Sequence, residues 1–313
     1  MGEATAQREA GPASLEVRSI LRGRRMDVRG IAFEAVLLVA LLLALAVLVT
    51  LLADVIIQAF SVFDERGAEF LTSDLSSVPS RAGLLQGIWG SLALMGFVLL
   101  LSVPLGVAAA VYLEEYAGDN RFTRVVVANV RNLAGVPSIV FGLLGLALFV
   151  QLLVAFTGGR SLMAGGLTMA ILVLPIVTIT AAEALRAVPT AIREAAFAVG
   201  ATRWEVIRSH VLPYAAPGIL TGTILAVSRA LGEAAPLIVI GGAPVFFATG
   251  EQSAVETLQG PYTALPAIIY TWSRKSLIEF GPLTAAAIVV LMIVLLLINA
   301  TAIWLRNRYE RRW

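Results

Sequence analysis

The sequence contains no cysteine, one histidine (His210) and one lysine (Lys275), and only 14% of its 313 residues are charged. Without cysteine there are no disulfides, no thiolate nucleophile and no Cys-ligated metal, although the redox compartment stays open. A single histidine removes the His-based catalytic constellations and His-rich metal sites. The one lysine follows Arg274, not a glycine. A G-K-[ST] phosphate loop is therefore excluded, and the chain does not bind ATP through a Walker A motif. With 23 basic and 21 acidic residues the formal charge is +2, too balanced for a nucleic-acid footprint. What the chain has in excess is apolar surface. Apolar residues make up 58% before its 27 glycines are counted, and the mean hydropathy is +0.87. Those values lie outside the range of soluble domains and of disordered chains, and they describe an integral membrane protein.

A helix crossing roughly 30 Å of hydrocarbon needs about 20 mostly apolar residues. Six such runs occur, at approximately 31–57, 84–112, 133–156, 162–182, 216–241 and 281–305. Only the fifth carries charges near its middle, Arg229 and Glu233. Lys and Arg are retained on the cytoplasmic side of a membrane. Placing the N-terminal tail, residues 113–132, residues 183–215 and the C-terminal tail on one side gives that side 17 basic residues against 5 on the other. The expected fold is thus an all-α bundle of six transmembrane helices with both termini cytoplasmic. The first run exceeds the length of a signal-peptide apolar core, so no cleavage is expected. Residues 1–30 read as an Arg-rich cytoplasmic tail, disordered by default, and 31–313 as the transmembrane domain. Of the outer connections, 58–83 is polar and expected to be structured, and 157–161 is a tight turn. Residues 242–280 are long and aromatic. Pro261, Tyr262, Leu265, Pro266, Tyr270 and Trp272 read there as a segment lying at the interface or folding back.

Residues 183–215 read as two short helices. Pro189 can open the first and Gly200 end it, Thr202-x-x-Glu205 is a capping box for the second, and Pro213 is expected to stop that helix. Ile192, Ala195, Ala196 and Val199 share one face of the first at helical spacing, with Arg193 and Glu194 flanking. Periodicity alone is equally satisfied by an amphipathic loop resting on the bilayer. Arg229 and Glu233, four residues apart, are expected on the same side of one helix near the membrane midplane. Each midplane charge costs roughly 2.5–3.5 kcal/mol on insertion scales. The pair is either a contact for an anion in transit or a buried structural ion pair. The break Gly135-Val136-Pro137-Ser138 can aim a helix N-terminus and the Ser138 hydroxyl at an anion, or simply initiate a helix.

The stretch E-A-A-F-A-V-G, nine residues, then H-V-L-P resembles the EAA loop of ABC importer permeases, E-A-A-x3-G-x9-I-x-L-P. Glu194, Ala195, Ala196, Gly200, Leu212 and Pro213 carry the match, and His210 stands where the family has isoleucine. His210 is read as a tolerated substitution and not as a ligand or base. Further similarity is to the PstA family of phosphate importer permeases: P-L-G-V-A-A-A-V-Y-L-E-E-Y-A and N-L-A-G-V-P-S-I-V-F-G within 104–149, E-A-L-R-A-V-P at 183–189, S-R-A-L-G-E-A-A-P-L at 228–237 and T-A-L-P-A-I-I-Y-T-W-S at 263–273. The resemblance implies a type I importer permease in a bacterial or archaeal inner membrane. It implies a second permease (PstC), two copies of an ATPase (PstB) holding ATP and Mg, a phosphate-binding protein (PstS), inorganic phosphate as the solute, and surrounding membrane lipid. It further implies that Glu194 to Gly200, with Leu212 and Pro213, dock on the ATPase. Arg229, Glu233 and Ser138 are expected to line the path, with no catalytic residue and no cofactor in this chain. Three alternatives remain: a permease for another oxyanion, an ion-coupled secondary transporter in which Glu233 carries a proton, and a membrane enzyme acting on phosphorylated lipid.

Overall fold

The computed structural model describes residues 28–242 and 254–309, which form helices and turns and no strand. They fall into two compact units, one up to Asp54 and one from Val55. The expected tail lies, as far as residue 27, outside the described residues.

The first unit is helical. Helix α1, Val28–Arg66, starts there, and in the stretch up to Asp54 its Ile31, Phe33, Leu37, Leu41 and Leu48 are exposed. An apolar helical stretch with no buried face is suited to hydrocarbon and not to water. Its one hydroxyl in this stretch is satisfied internally: Thr50 Oγ1 donates to the carbonyls of Ala46 and Val47 at 2.9 Å each.

The second unit contains α2 (Leu85–Tyr116), α3 (Arg121–Ala134), α4 (Ser138–Leu152), α5 (Leu162–Arg186), α6 (Thr190–Ala198), α7 (Arg203–Gly232), α8 (Ala235–Ile240), α9 (Leu265–Ser273) and α10 (Phe280–Tyr309). Five helices, α1, α2, α5, α7 and α10, are long and apolar enough to cross a membrane. A sixth span exists if α3 and α4, bent by 102°, are taken together. The described residues thus hold five or six candidate spans, in line with the all-α multi-pass bundle expected.

Helix α5 is the centre of the bundle. It buries Met169, Leu172, Val173 and Val177 among side chains of α2, α4 and α7. Small residues let the backbones approach: a methyl group at Gly222 of α7 would lie 2.0 Å from Thr180 Oγ1, and one at Gly218 2.7 Å from the Ala184 Cβ. Such contacts replace the hydrophobic drive that lipid removes between helices.

Three sequence expectations are corrected and one open alternative is decided. The third span begins at Ser138 and not near 133, because residues 121–134 form a separate helix at a steep angle. The run 216–241 is not one helix: α7 ends at Gly232, Glu233 is extended (φ −88°, ψ 108°), and α8 starts at Ala235. Pro236, with no N–H to offer and a ring that crowds the preceding turn, accounts for that break. Pro213, by contrast, does not stop its helix. The chain widens into a π turn at Ile207–Val211 just ahead of it, which accommodates the missing donor, as Val98–Ser102 does before Pro104. Finally, of the two readings of the aromatic segment the structure shows the one that folds back: Tyr262, Leu265, Pro266, Ala267, Ile268 and Trp272 are buried, with Trp272 tilted between Phe70 and Phe280, while Pro261 and Tyr270 are exposed.

The turn at 157–161 is tight as expected, with Gly158 and Gly159 at positive φ and Ser161 capping α5 through the Ala164 N–H. The 58–83 connection is structured. Arg66 donates to the carbonyls of Ala82 and Pro79 and covers the Phe70 ring at 5.5 Å.

Candidate functional site

Two regions hold the residues that the sequence singles out. The first is the loop around α6. It opens after Pro189 and closes in a Schellman motif: Gly200 N–H donates to the Phe197 carbonyl at 2.9 Å and Ala201 N–H to the Ala196 carbonyl at 3.2 Å. Gly200 sits at φ +86°, where a side chain would be strained. The capping box is present, with Thr202 N–H donating to Glu205 Oε2 at 2.7 Å and Glu205 N–H to Thr202 Oγ1 at 3.4 Å. Ala196 is buried and Ile192 half-buried, but Ala195 and Val199 do not share that face and stay exposed. Glu194, Ala195, Phe197 and Val199, the last 85% exposed, form an apolar ridge with one acid at its edge. Leu212 is half-buried, and Pro213 and His210 are exposed on the start of α7.

What fixes this loop is a pair that the sequence reading passed over. Arg193 donates to Glu115 Oε1 at 2.7 Å, to the Leu185 carbonyl at 2.9 Å and to the Val188 carbonyl at 2.7 Å. Both partners are largely buried, with 20% and 10% of their side chains accessible. Next to it Arg186 pairs with Glu114, and the Arg203 guanidinium lies 5.0 Å above the Tyr116 ring. The adjacent acids in Y-L-E-E-Y were the available signal, but nothing local says that their partners lie more than 70 residues on.

The second region is the break between α7 and α8. Arg229, in the last turn of α7, lies 3.4 Å from Glu233, which occupies the break and not the same helix. The Arg229 side chain is 40% exposed and Glu233 22%, which argues against a sequestered structural pair. Tyr214, Gly218, Thr221, Leu225, Arg229 and Gly232 recur at helical spacing and are all exposed, with Ala184 of α5 at the edge beside Gly218 and Arg306 of α10 donating to Thr221 Oγ1 at 3.3 Å. Just before Arg229, Ser228 donates to Asn299 of α10 at 2.8 Å, a polar contact at membrane depth that hydropathy conceals.

Ser138 is half-buried at the first position of α4. One turn further, Gly142 lies on Pro236, where a methyl group would come 2.7 Å from the Pro236 Cα. The N-terminus of α4 thus flanks the break. Helix α4 alone is about 22 Å long at 1.5 Å per residue, short of the hydrocarbon thickness. Two interrupted helices therefore meet inside the bundle.

Residues 102–313 match the family described as binding-protein-dependent transport system inner membrane component. The chain belongs to this family. Among its relatives, "Probable ABC transporter permease protein YqgI" of Bacillus subtilis is 34% identical over 198 residues, 63% of this chain and 65% of that one. "Phosphate transport system permease protein PstA 1" of Mycobacterium tuberculosis H37Rv is 36% identical over 231 residues, 74% of this chain and 71% of that one. "Phosphate transport system permease protein PstA" of Haemophilus influenzae is 34% identical over 239 residues, 75% and 81%. A bacterial alginate ABC transporter in complex with its alginate-bound periplasmic protein superposes with a TM-score of 0.63 at 17% identity, covering 90% of this chain and 98% of that one. The inward-facing MetNI methionine ABC transporter gives 0.57 at 21%, covering 73% and 96%. Those two likenesses establish the fold: an all-α, multi-pass permease bundle of the ABC importer type. The family match begins at Ser102 and so includes both regions, the α6 loop and the α7–α8 break.

Proposed function

We propose that the chain is a permease subunit of an ATP-driven phosphate importer in a bacterial or archaeal inner membrane. Its path is completed by a second permease of the PstC kind, its energy comes from two copies of a PstB-type ATPase holding ATP and Mg, and its solute is delivered by a PstS-type binding protein. The chain itself performs no covalent chemistry. The observation that carries this reading is Arg229: a guanidinium beside a helix break, 40% exposed, which among the described residues approaches Glu233 at 3.4 Å. A guanidinium fork matches phosphate oxygens, and an acid at 3.4 Å can hold it between transport events and release it when phosphate arrives. The N-terminus of α4 at Ser138 adds amide donors of the sign an anion needs.

The names of the relatives support phosphate, and the energetics support a motor. Moving a dianion inward against an inside-negative 100 mV costs roughly 4.6 kcal/mol, and a thousandfold gradient adds about 4. The exposed ridge of α6 is the surface available for the ATPase. ATP closure would move α6 as a rigid body, and its bolted contact with α2 and α5 would carry that movement to α7 and the break.

Substitution tests the path. Arg229→Gln in the assembled transporter is expected to lower phosphate uptake roughly 10- to 150-fold, the loss of a charged hydrogen bond of about 1.5–3 kcal/mol, with subunit assembly unchanged. Arg229→Lys should retain part of the activity. Normal uptake by Arg229→Gln would remove this residue from the path. Equal uptake of sulfate or molybdate by the unaltered transporter would reassign the solute to another oxyanion.

A further inference from the structure

Helix α3 presents three faces. Thr123, Val126, Val127, Val130 and Ala134 are half-buried against the bundle. Phe122, Val125 and Leu133, at 76%, 58% and 46% exposure, form a second, exposed stripe. Asn129 interrupts that stripe, with one amide N–H turned back to the Val125 carbonyl at 2.8 Å. Arg121, Arg124 and Arg131 are exposed along the third face.

The placement of the helix decides what can cover these faces. The 102° bend into α4 turns α3 across the direction of a spanning helix. Its inner side, with Val127 and Val130, lines a crevice with Leu113 and Glu114 of α2 and Thr178, Ile179, Ala182, Glu183 and Arg186 of α5, and the exposed Arg131 forms the rim of that crevice. Those α5 residues are its last nine, so α3 sits within about 12 Å of the end of the central span. Three arginines cannot be placed in hydrocarbon, at roughly 2.5–3.5 kcal/mol each, and three large apolar side chains are poorly placed in water. The boundary between them satisfies both. Nearby acids offset the three arginines only in part: Glu114 is taken by Arg186 and Glu115 by Arg193, Glu183 shares the crevice with Arg131, and Asp119 meets Arg124 at 3.5 Å with both side chains largely in solvent.

We propose that α3 is an interfacial lipid-binding helix: Phe122, Val125 and Leu133 enter the hydrocarbon edge of one leaflet while Arg121, Arg124 and Arg131 bind the phosphate groups of anionic phospholipids. This concerns the membrane and not the transported solute, so it stands or falls separately from the function proposed above.

Because the chain has no cysteine, a nitroxide on Phe122→Cys, Val125→Cys or Leu133→Cys occupies the only thiol of the chain. The full-length protein with its co-purifying subunits is reconstituted in phosphatidylcholine with and without phosphatidylglycerol. Labels at all three positions should collide with oxygen and be shielded from a water-soluble nickel chelate. Phosphatidylglycerol should be enriched around the protein, and Arg121→Gln, Arg124→Gln and Arg131→Gln should reduce that enrichment by about fivefold per arginine removed. Free access of the chelate would place the helix in water and overturn the proposal. Shielding from both probes would show that a protein partner covers the stripe, with the same consequence. Unchanged lipid enrichment in the triple variant would refute the role of the arginines.

Discussion

Arg193 makes four hydrogen bonds to Glu115 and two backbone carbonyls, in a position from which most water is excluded. Among the described residues Arg229 meets Glu233 at 3.4 Å, with 40% of its side chain accessible. Both are arginine–glutamate pairs, yet their surroundings assign them opposite work. The first is over-determined and ties the docking helix to the ends of α2 and α5, so that α6 cannot move without them. The second is under-determined and leaves the guanidinium available to a competing anion. A transporter driven from outside the membrane needs both a stiff connection where force enters and a loose contact where solute is exchanged.

The largest expected effect falls on the stiff pair. Arg193→Ala leaves a buried Glu115 without its partner, a change of about 3–5 kcal/mol. Thermal unfolding of the purified chain should move down and the ATPase should dissociate, and adding Glu115→Ala should recover part of the loss. A single variant as stable as the parent would show that the two pairs do not differ. Arg229→Gln should do the reverse, abolishing most uptake while thermal stability stays within about 0.5 kcal/mol of the parent, as for an exposed substitution. Gly200→Asp comes next. Its residue sits at φ +86°, so a side chain adds about 1–2 kcal/mol of strain at the loop corner, and ATPase association should weaken in a pull-down. Glu194→Lys, on the exposed ridge, should weaken that association about fivefold or more with no change in folding. Thr202→Ala removes a helix cap, about 1 kcal/mol, and should leave transport measurable with a slightly lower midpoint.

The parts of this arrangement legible in the sequence are those governed by local chemistry. Run length and hydropathy identified the spans, and Pro189, Gly200 and Thr202-x-x-Glu205 identified α6 and the start of α7. Gly232 and Pro236 allow a kink at Glu233, but a full break was not legible there because apolar residues continue on both sides and a hydropathy window does not register a change of ψ at one residue. Helix α3 was hidden for a related reason: its arginines were counted as loop charge, and the valines between them were not read as a face. The place of Tyr262 and Trp272 stayed open between interface and fold-back because amphipathic aromatics suit an interface and a protein core equally well, and for Trp272 only the neighbouring Phe70 and Phe280 decide between them. The Glu115–Arg193 pair joins segments 78 residues apart, a separation over which periodicity and capping rules have no reach.

The most direct measurement is ATP-dependent accumulation of radiolabelled phosphate in proteoliposomes that contain either this chain alone or this chain with the second permease, the ATPase and the binding protein. Accumulation only in the complete assembly, lost when ATP is withheld, is the result expected. Accumulation by the chain alone, driven by a proton gradient, would contradict the account.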